Sequence, residues 1–133
     1  MRILFVCKHN RFRSKVAEAI FKKLNKNNNI FVESAGTIGS INPTNPNVIY
    51  IMKEKNYSIE GLPKKIDSLN DVKDYDLIVI VADDVDRGFF NGKSKGRIIQ
   101  WHISDCEESD VNKIRETVNM IELKVKKLIN SIV

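Results

Sequence analysis

The stretch VCKHNRFRSKVAEAI, residues 6–20, holds the residues best suited to chemistry. Cys7 ends an apolar run, and Arg13 and Ser14 follow it after five residues. A loop between a strand and a helix can surround an anion with backbone N–H groups. A thiolate facing a bound phosphate is a nucleophile, an arginine fork holds two phosphate oxygens, and a serine can hydrogen-bond the departing sulfur. The spacing predicts a phosphate cradle with Cys7 as nucleophile, Arg13 as oxyanion clamp and further substrate contacts from Lys8, His9, Asn10, Arg11, Phe12 and Ser14.

Apolar runs and helical periodicity predict the elements that position this loop. Continuous apolar segments indicate buried parallel strands at 2–6, 30–34, 76–82 and 97–101. Apolar residues at steps of three and four indicate a helix after the cradle, a second over 48–55 and a long third over 111–132. Alternating strands and helices predict an α/β protein, with a parallel sheet covered by helices on both faces. We expect a single three-layer domain spanning residues 1–133.

A carboxylate follows the last predicted strand. In parallel sheets ligands bind at the edge formed by the carboxyl ends of the strands. Cys7 and Asp105 both follow a strand end, so the topology brings them to the same edge. From the residues alone, Asp105 is either a general acid, or a helix-capping or solvated surface residue.

Composition and charge limit the class of protein. The chain has 133 residues, a net charge of +5 and two cysteines, Cys7 and Cys106. Two cysteines do not form a secreted disulfide framework, and no apolar run approaches a membrane span. The basic residues are dispersed and no aromatic RNA-binding signature accompanies them. We expect a cytoplasmic, monomeric protein with no cofactor, resident metal, membrane or nucleic-acid partner.

Four segments resemble the low-molecular-weight protein tyrosine phosphatases and the related arsenate reductases. The cradle resembles their signature loop, VESAGT at 32–37 their second strand, YDLIVIVADD at 75–84 their third, and WHISDC at 101–106 their acid segment. The resemblance implies a four-stranded parallel sheet of order 2-1-3-4 and a phosphocysteine intermediate. It implies Asp105 as general acid and base, and Ser34 as a brace for Asn10. The implied substrate is a phosphorylated protein, phosphotyrosine foremost, or a small phosphomonoester.

The chain departs from that family at three positions. His9 replaces the usual glycine, Phe12 stands where many relatives have a second cysteine, and Cys106 replaces the proline after the acid. A histidine at position 9 either adds a cation near the phosphate or points to solvent. Phe12 excludes a disulfide within the loop.

Alternative functions remain open at the level of sequence. Arsenate reduction would use Cys7 with an external thiol or with Cys106, which is otherwise a small residue packed under the helix start. A non-catalytic phosphate- or metal-binding module is a second alternative, with Cys7, His9, His102 and Cys106 as the metal set. The acidic run after the third strand is expected to rim the site or cap a short helix through Asp83, Asp84 and Asp86.

Overall fold

The structure is a computed structural model that describes residues 1–68 and 72–132. It contains the four predicted strands and the three predicted helices. The strands are β1 (Arg2–Cys7), β2 (Phe31–Gly36), β3 (Leu77–Val81) and β4 (Arg97–Trp101). The helices are α1 (Arg13–Leu24), α2 (Pro46–Glu54) and α3 (Val111–Ile132). Three short 3-10 helices span Ile66–Ser68, Val72–Asp74 and Arg87–Phe90.

All four strands lie in one parallel sheet of order β2-β1-β3-β4. This confirms the predicted topology. The register pairs Cys7 with Gly36 on β2, and Val81 with Trp101 on β4. The loops that follow β1, β3 and β4 therefore begin at one edge of the sheet, as in other open parallel sheets where ligands bind.

The two faces of the sheet are covered differently. Ile3 and Phe5 of β1 pack in a core cluster with residues from α1, α2 and α3. Leu4 and Val6 alternate to the other face and pack with residues that include Ile66 and Phe90 of the 3-10 helices. The helical layer on this second face thus consists of short 3-10 helices, while the three α-helices share the first face.

The apolar stripe of α3 is buried against the helical layer. Its inward residues recur at helical spacing: Ile114, Val118, Ile121, Val125 and Leu128. This packing fixes where α3 begins, and so fixes the segment between β4 and α3. Within the described ranges, no helix is long and apolar enough to cross a membrane.

Candidate active site

Residues 7–14 form the cradle loop, which joins the end of β1 to the first turn of α1. The carbonyl of Lys8 accepts hydrogen bonds from the backbone N–H groups of Ile38 (2.9 Å) and Gly39 (3.2 Å). Gly36 lies so close beneath the loop that a Cβ there would be 2.7 Å from the Lys8 carbonyl oxygen and the His9 carbonyl carbon. The end of β2 therefore supports the loop by direct backbone contact, which requires glycine at position 36.

Asn10 braces the cradle loop from inside. Its backbone is left-handed, with φ of 60°, a conformation that asparagine tolerates better than most residues. Its Nδ2 donates to the Oγ of Ser14 (2.8 Å) and to the Oγ of Ser34 (2.9 Å). Its Oδ1 accepts from the backbone N–H of Lys64 at 2.9 Å. Asn10 is thus both a turn residue and a hydrogen-bond hub, and Ser34 contacts it as the resemblance implied.

A buried carboxylate extends this network. The Ser34 hydroxyl donates to Oε1 of Glu18 at 2.6 Å, and Lys22 donates to Oε2 of Glu18 at 2.8 Å. Glu18 is buried although it is charged, which is uncommon unless the charge is paired. This role of Glu18 is not predicted from the sequence. The sequence signal for this role is the position of Glu18 within residues 6–20, on the face of α1 that contacts Ser34 of β2.

The thiol of Cys7 receives two polar contacts. The side chain is 2 % exposed, its Sγ lies 2.9 Å from the Oγ of Ser14, and the backbone N–H of Asn10 donates to it at 3.3 Å. Because the Ser14 oxygen already accepts from Asn10, its own proton is free to point at the sulfur. The serine hydroxyl and the Asn10 N–H are therefore both placed to donate to the sulfur.

Arg13 is anchored from the neighbouring strand ends. Its Nη1 donates to the carbonyl of Ile103 at 2.9 Å, and its Nη2 lies 3.0 Å from the carboxylate of Asp84. Asp83 lies 3.8 Å from Nη1. A guanidinium carries five N–H groups, so these contacts leave donors for a bound oxyanion. The residue itself is 2 % exposed, so its charge is held in a fixed place.

The acidic residues after β3 therefore divide between two tasks. Asp83 and Asp84 pair with Arg13, and Asp86 accepts from the backbone N–H of Gly88 at 2.8 Å at the start of a 3-10 helix. The capping role that the sequence left open falls to Asp86. The pairing of Asp83 and Asp84 with Arg13 was not predicted. The sequence feature that pointed to it is that these two residues follow the end of β3, at the same edge of the sheet as the cradle loop.

One cavity brings the predicted nucleophile, clamp and acid together. Cys7, Arg13 and Asp105 all line it. Asp105 is exposed, and its Oδ1 accepts from the backbone N–H of Cys106 at 2.9 Å. Asp110, whose Oδ1 accepts from the backbone N–H of Lys113 at 3.1 Å, caps α3 instead. The carboxylate of Asp105 is thus not engaged as the cap of α3.

The other cradle side chains have distinct surroundings. His9 lines the cavity and its Nδ1 lies 3.0 Å from the carbonyl of Gly39, so it does not simply point to solvent. Arg11 and Phe12 also line the cavity. Phe12 occupies the N-cap position of α1, and its side chain makes no hydrogen bond to the first N–H groups of that helix. Lys8 contributes its backbone carbonyl to the loop rather than a side chain to the cavity wall.

Cys106 shares the cavity with Cys7. It is partly buried and packs against the core cluster of the helical layer. Burial raises the pKa of its thiol, and the carboxylates of Asp105 and Asp110 raise it further. These effects outweigh the hydrogen bond from Thr117 and the charge of Arg13, which lower it. Cys106 is therefore a neutral thiol at neutral pH, both packed under the start of α3 and facing the site.

The part of the chain that the structure describes assembles no metal-binding arrangement. Among residues 1–68 and 72–132, no three or more histidine, cysteine or acidic side chains are grouped to hold a metal ion. The alternative set of Cys7, His9, His102 and Cys106 therefore has no support in this geometry.

Comparison with known proteins places the chain in a family. Residues 2–133 match the model of the low molecular weight phosphotyrosine protein phosphatases. The chain belongs to this family. No protein of curated function is similar enough in sequence to match.

Solved structures with the same fold include enzymes of different activities. An arsenate reductase from Archaeoglobus fulgidus is 30% identical, with a TM-score of 0.82 over 96% of this chain and 98% of that one. A low molecular weight protein tyrosine phosphatase from T. tengcongensis is 24% identical, with a TM-score of 0.81 over 98% and 99%. An arginine phosphatase from Geobacillus stearothermophilus is 18% identical, with a TM-score of 0.81 over 98% and 92%. The last two similarities establish the fold alone.

Proposed function

We propose that residues 1–133 form one phosphatase domain that hydrolyses phosphomonoesters, with protein phosphotyrosine as the foremost substrate, through a phosphocysteine intermediate. The observation that carries the proposal is the shared cavity of Cys7, Arg13 and Asp105. It combines a nucleophile, an oxyanion clamp and an acid, the set that phosphoryl transfer to sulfur requires.

The first step is attack of the Cys7 thiolate on phosphorus. The phosphoryl group binds in the cradle loop, where the backbone N–H groups and the guanidinium of Arg13 hold its oxygens. The sulfur–phosphorus bond forms as the bond from phosphorus to the ester oxygen breaks. Asp105 gives its proton to that oxygen, so the leaving group departs as a neutral alcohol or phenol.

The second step regenerates the Cys7 thiolate. Asp105, now ionised, takes a proton from a water molecule, which attacks phosphorus. The sulfur–phosphorus bond breaks and inorganic phosphate is released. Cys7 departs as a thiolate, and the contacts from Ser14 and from the Asn10 N–H stabilise that charge.

The test is turnover of p-nitrophenyl phosphate in the presence of a metal chelator. We expect turnover by the wild type and none by Cys7→Ser. For Asp105→Asn we expect kcat to decrease roughly a hundredfold or more, the usual contribution of a general acid or base, because Asp105 serves as the base in the second step even where the leaving group needs no proton. Asp67→Asn is the matched control, because Asp67 is exposed, pairs with Lys65 and does not line the cavity. Absence of turnover in folded, chelator-treated wild type would overturn the proposal.

Arsenate reduction is the second candidate, favoured by the position of Cys106 on the cavity of Cys7. The Cys7 thiolate would displace an oxygen from arsenate to form a sulfur–arsenic bond. A second thiol, Cys106 or an external one, would then attack the Cys7 sulfur. The disulfide forms as arsenic leaves with the bonding electron pair, so As(V) becomes As(III) and two thiols are oxidised. Thiol-dependent arsenate reduction that is lost in Cys106→Ser would favour this candidate over hydrolysis.

A further inference from the structure

The segment that carries Asp105 is held at two places. Residues 102–110 connect β4 to α3, and Asp105 lies in the middle. At the first place the carbonyl of Ile103 accepts from Nη1 of Arg13 (2.9 Å) and from the backbone N–H of Asp83 (3.0 Å). The hydroxyl of Ser104 donates to the carboxylate of Asp83 at 2.6 Å. The chain before Asp105 is therefore fixed to the clamp arginine and its partner.

The second place is Glu108, three residues after Asp105. Its Oε1 forms an ion pair with Nη1 of Arg11 in the cradle loop, and its Oε2 accepts from Nδ2 of Asn45 at 3.2 Å. Its backbone carbonyl accepts from Nδ2 of Asn47 at 2.8 Å. Glu108 thus ties the segment to the cradle loop and to the start of α2.

The partners of Glu108 are themselves fixed. The Nε of Arg11 donates to the carbonyl of Pro43 at 3.0 Å, which orients its guanidinium. Asn45 is the N-cap of α2, where its Oδ1 accepts from the backbone N–H of Asn47 at 2.8 Å. Glu108 therefore contacts two side chains with little freedom, although its own side chain is 49% exposed.

We propose that Glu108 is a positioning residue, which holds Asp105 over the Cys7 thiol by joining the acid segment to Arg11 and Asn45. This inference rests on the proposed role of Asp105. An isolated ion pair at a rim stabilises little, at most about 1 kcal/mol. The effect expected here is on geometry, because small displacements of an acid or base from its productive position cost rate steeply.

The experiment compares two substrates that differ in their need for an acid. p-Nitrophenyl phosphate has a leaving group that departs without protonation, whereas phenyl phosphate needs a proton on the leaving oxygen. The quantity measured is kcat/KM, which reports the first irreversible step, transfer to Cys7. Glu108→Gln replaces one carboxylate oxygen with an amide group, which donates. The side chain at position 108 then has one acceptor oxygen in place of the two that bind Arg11 and Asn45.

We expect Glu108→Gln to lower kcat/KM about fivefold more for phenyl phosphate than for p-nitrophenyl phosphate, because a displaced acid protonates the leaving oxygen less effectively. Asp105→Asn should show the same preference to a larger extent. Glu107→Gln is the matched control, since this neighbouring carboxylate does not line the cavity of Cys7. It should leave kcat/KM unchanged for both substrates. Equal losses for both substrates in Glu108→Gln, or none, would overturn the inference. A melting temperature within a few degrees of the wild type excludes a general loss of folding as the cause.

The outcomes separate this inference from the proposed function. If Asp105→Asn lowers kcat/KM equally for both substrates, Asp105 is not the general acid, and the inference about Glu108 fails as well. If Asp105→Asn discriminates between the substrates while Glu108→Gln does not, the proposed mechanism stands and the positioning role of Glu108 is wrong.

Discussion

The Sγ atom of Cys7 lies 2.9 Å from the Oγ atom of Ser14, and the same hydroxyl oxygen accepts a hydrogen bond from Asn10 at 2.8 Å. When Cys7 is a thiolate it can only accept, so the serine hydroxyl is then the donor of this contact. Because this hydroxyl is fixed before any substrate binds, its stabilisation of a sulfur anion costs no reorganisation during the reaction.

Removing that hydroxyl should slow the regeneration of Cys7. In Ser14→Ala the departing thiolate loses one of its two donors, and a hydrogen bond to a charged group is worth about 1.5–3 kcal/mol. We expect kcat to fall roughly tenfold to a hundredfold. A pre-steady-state burst of p-nitrophenol equal to the enzyme concentration should accompany it, because the intermediate accumulates.

Ser131→Ala serves as the control for that variant. The Ser131 hydroxyl donates to the Leu128 carbonyl at 2.8 Å near the end of α3 and does not line the cavity. Its kinetics should match the wild type. If kcat of Ser14→Ala also matches the wild type, the Cys7–Ser14 contact has no part in the reaction.

A methyl group at position 36 should disrupt the cradle loop. The Cβ of Gly36→Ala would lie 2.7 Å from backbone atoms of Lys8 and His9, and backbone cannot move aside as a side chain can. Overpacking of this kind costs about 1–3 kcal/mol. We expect the free energy of unfolding in urea to fall by about that amount, together with kcat/KM for p-nitrophenyl phosphate.

Gly88→Ala is the matched control, because its Cβ would meet a side-chain oxygen of Asp86 at 3.2 Å, a contact that a shift of a few tenths of an ångström in that side chain relieves. A small change in stability and unchanged kcat/KM are expected there. Should Gly36→Ala retain full activity, the support of the loop by β2 is not required for its shape.

The titration of Cys106 gives a prediction about the electrostatics of the site. Burial and the carboxylates of Asp105 and Asp110 raise the pKa of this thiol, so its reactive thiolate forms only at higher pH than for an ordinary cysteine. In Cys7→Ser, where Cys106 is the remaining cysteine, alkylation by iodoacetamide should be slow at neutral pH and increase steeply above pH 9. Mass spectrometry of quenched samples measures the rate.

Removing a contributing carboxylate should reverse part of this shift. With Asp105→Asn added to Cys7→Ser, the pKa of Cys106 decreases, so alkylation at a given pH becomes faster. Adding Glu107→Gln instead should have no effect, since Glu107 is not among the groups that shift this thiol. Equal alkylation rates in all three proteins would show that the charge of Asp105 does not affect the pKa of Cys106.

The sequence predicts the strands and the cradle loop because each carries a local signal. The run LIVIV of β3 is apolar at every position and is buried at every position. Cys7, Arg13 and Ser14 are close in sequence, so their joint location follows from a single strand–loop–helix unit. The strand order was implied by the resemblance rather than by any residue pattern.

Other features could not be predicted because their partners are distant in sequence or lack periodicity. Arg11 and Glu108 are 97 residues apart, and nothing in the sequence around an exposed carboxylate predicts which arginine it will pair with. The pairing of Arg13 with Asp84 depends on the adjacency of β1 and β3. The 3-10 layer around Ile66 and Phe90 has helices of three or four residues, too short for a hydrophobic period to be visible.

A hydrogen-bonded pair far from the cradle, Tyr57 and Glu122, should make stability depend on pH. The Tyr57 hydroxyl donates to Glu122 at 2.6 Å, and Lys55 lies 3.0 Å from the other carboxylate oxygen. Burial raises the pKa of Glu122, but the hydrogen bonds from Tyr57 and Lys55 and the charges of Lys55 and Lys126 outweigh it and leave the pKa lowered. Burial and the same carboxylate raise the pKa of Tyr57.

The signs of these two shifts define a pH window. A lowered pKa of Glu122 in the folded state means that its contribution is present above the ordinary value of 4.5 and is lost as the pH falls through the folded value. A raised pKa of Tyr57 means that its contribution is present below the ordinary value of 10.0 and is lost as the pH rises. Both contributions are therefore present at neutral pH.

Glu122→Gln should lower the free energy of unfolding at pH 7 by about 1 kcal/mol, because a neutral amide accepts more weakly than a carboxylate and no longer attracts Lys55. Urea denaturation from pH 7 to pH 3.5 should show the difference from the wild type narrowing below pH 4.5, as the wild-type carboxylate becomes protonated. The control is Glu116→Gln, whose exposed carboxylate lies 3.9 Å from Lys113 and should cost little at any pH. A deficit in Glu122→Gln that stays constant down to pH 3.5 would show that it arises from packing, since the other groups that titrate over that range are common to both proteins and only the charge of Glu122 differs between them.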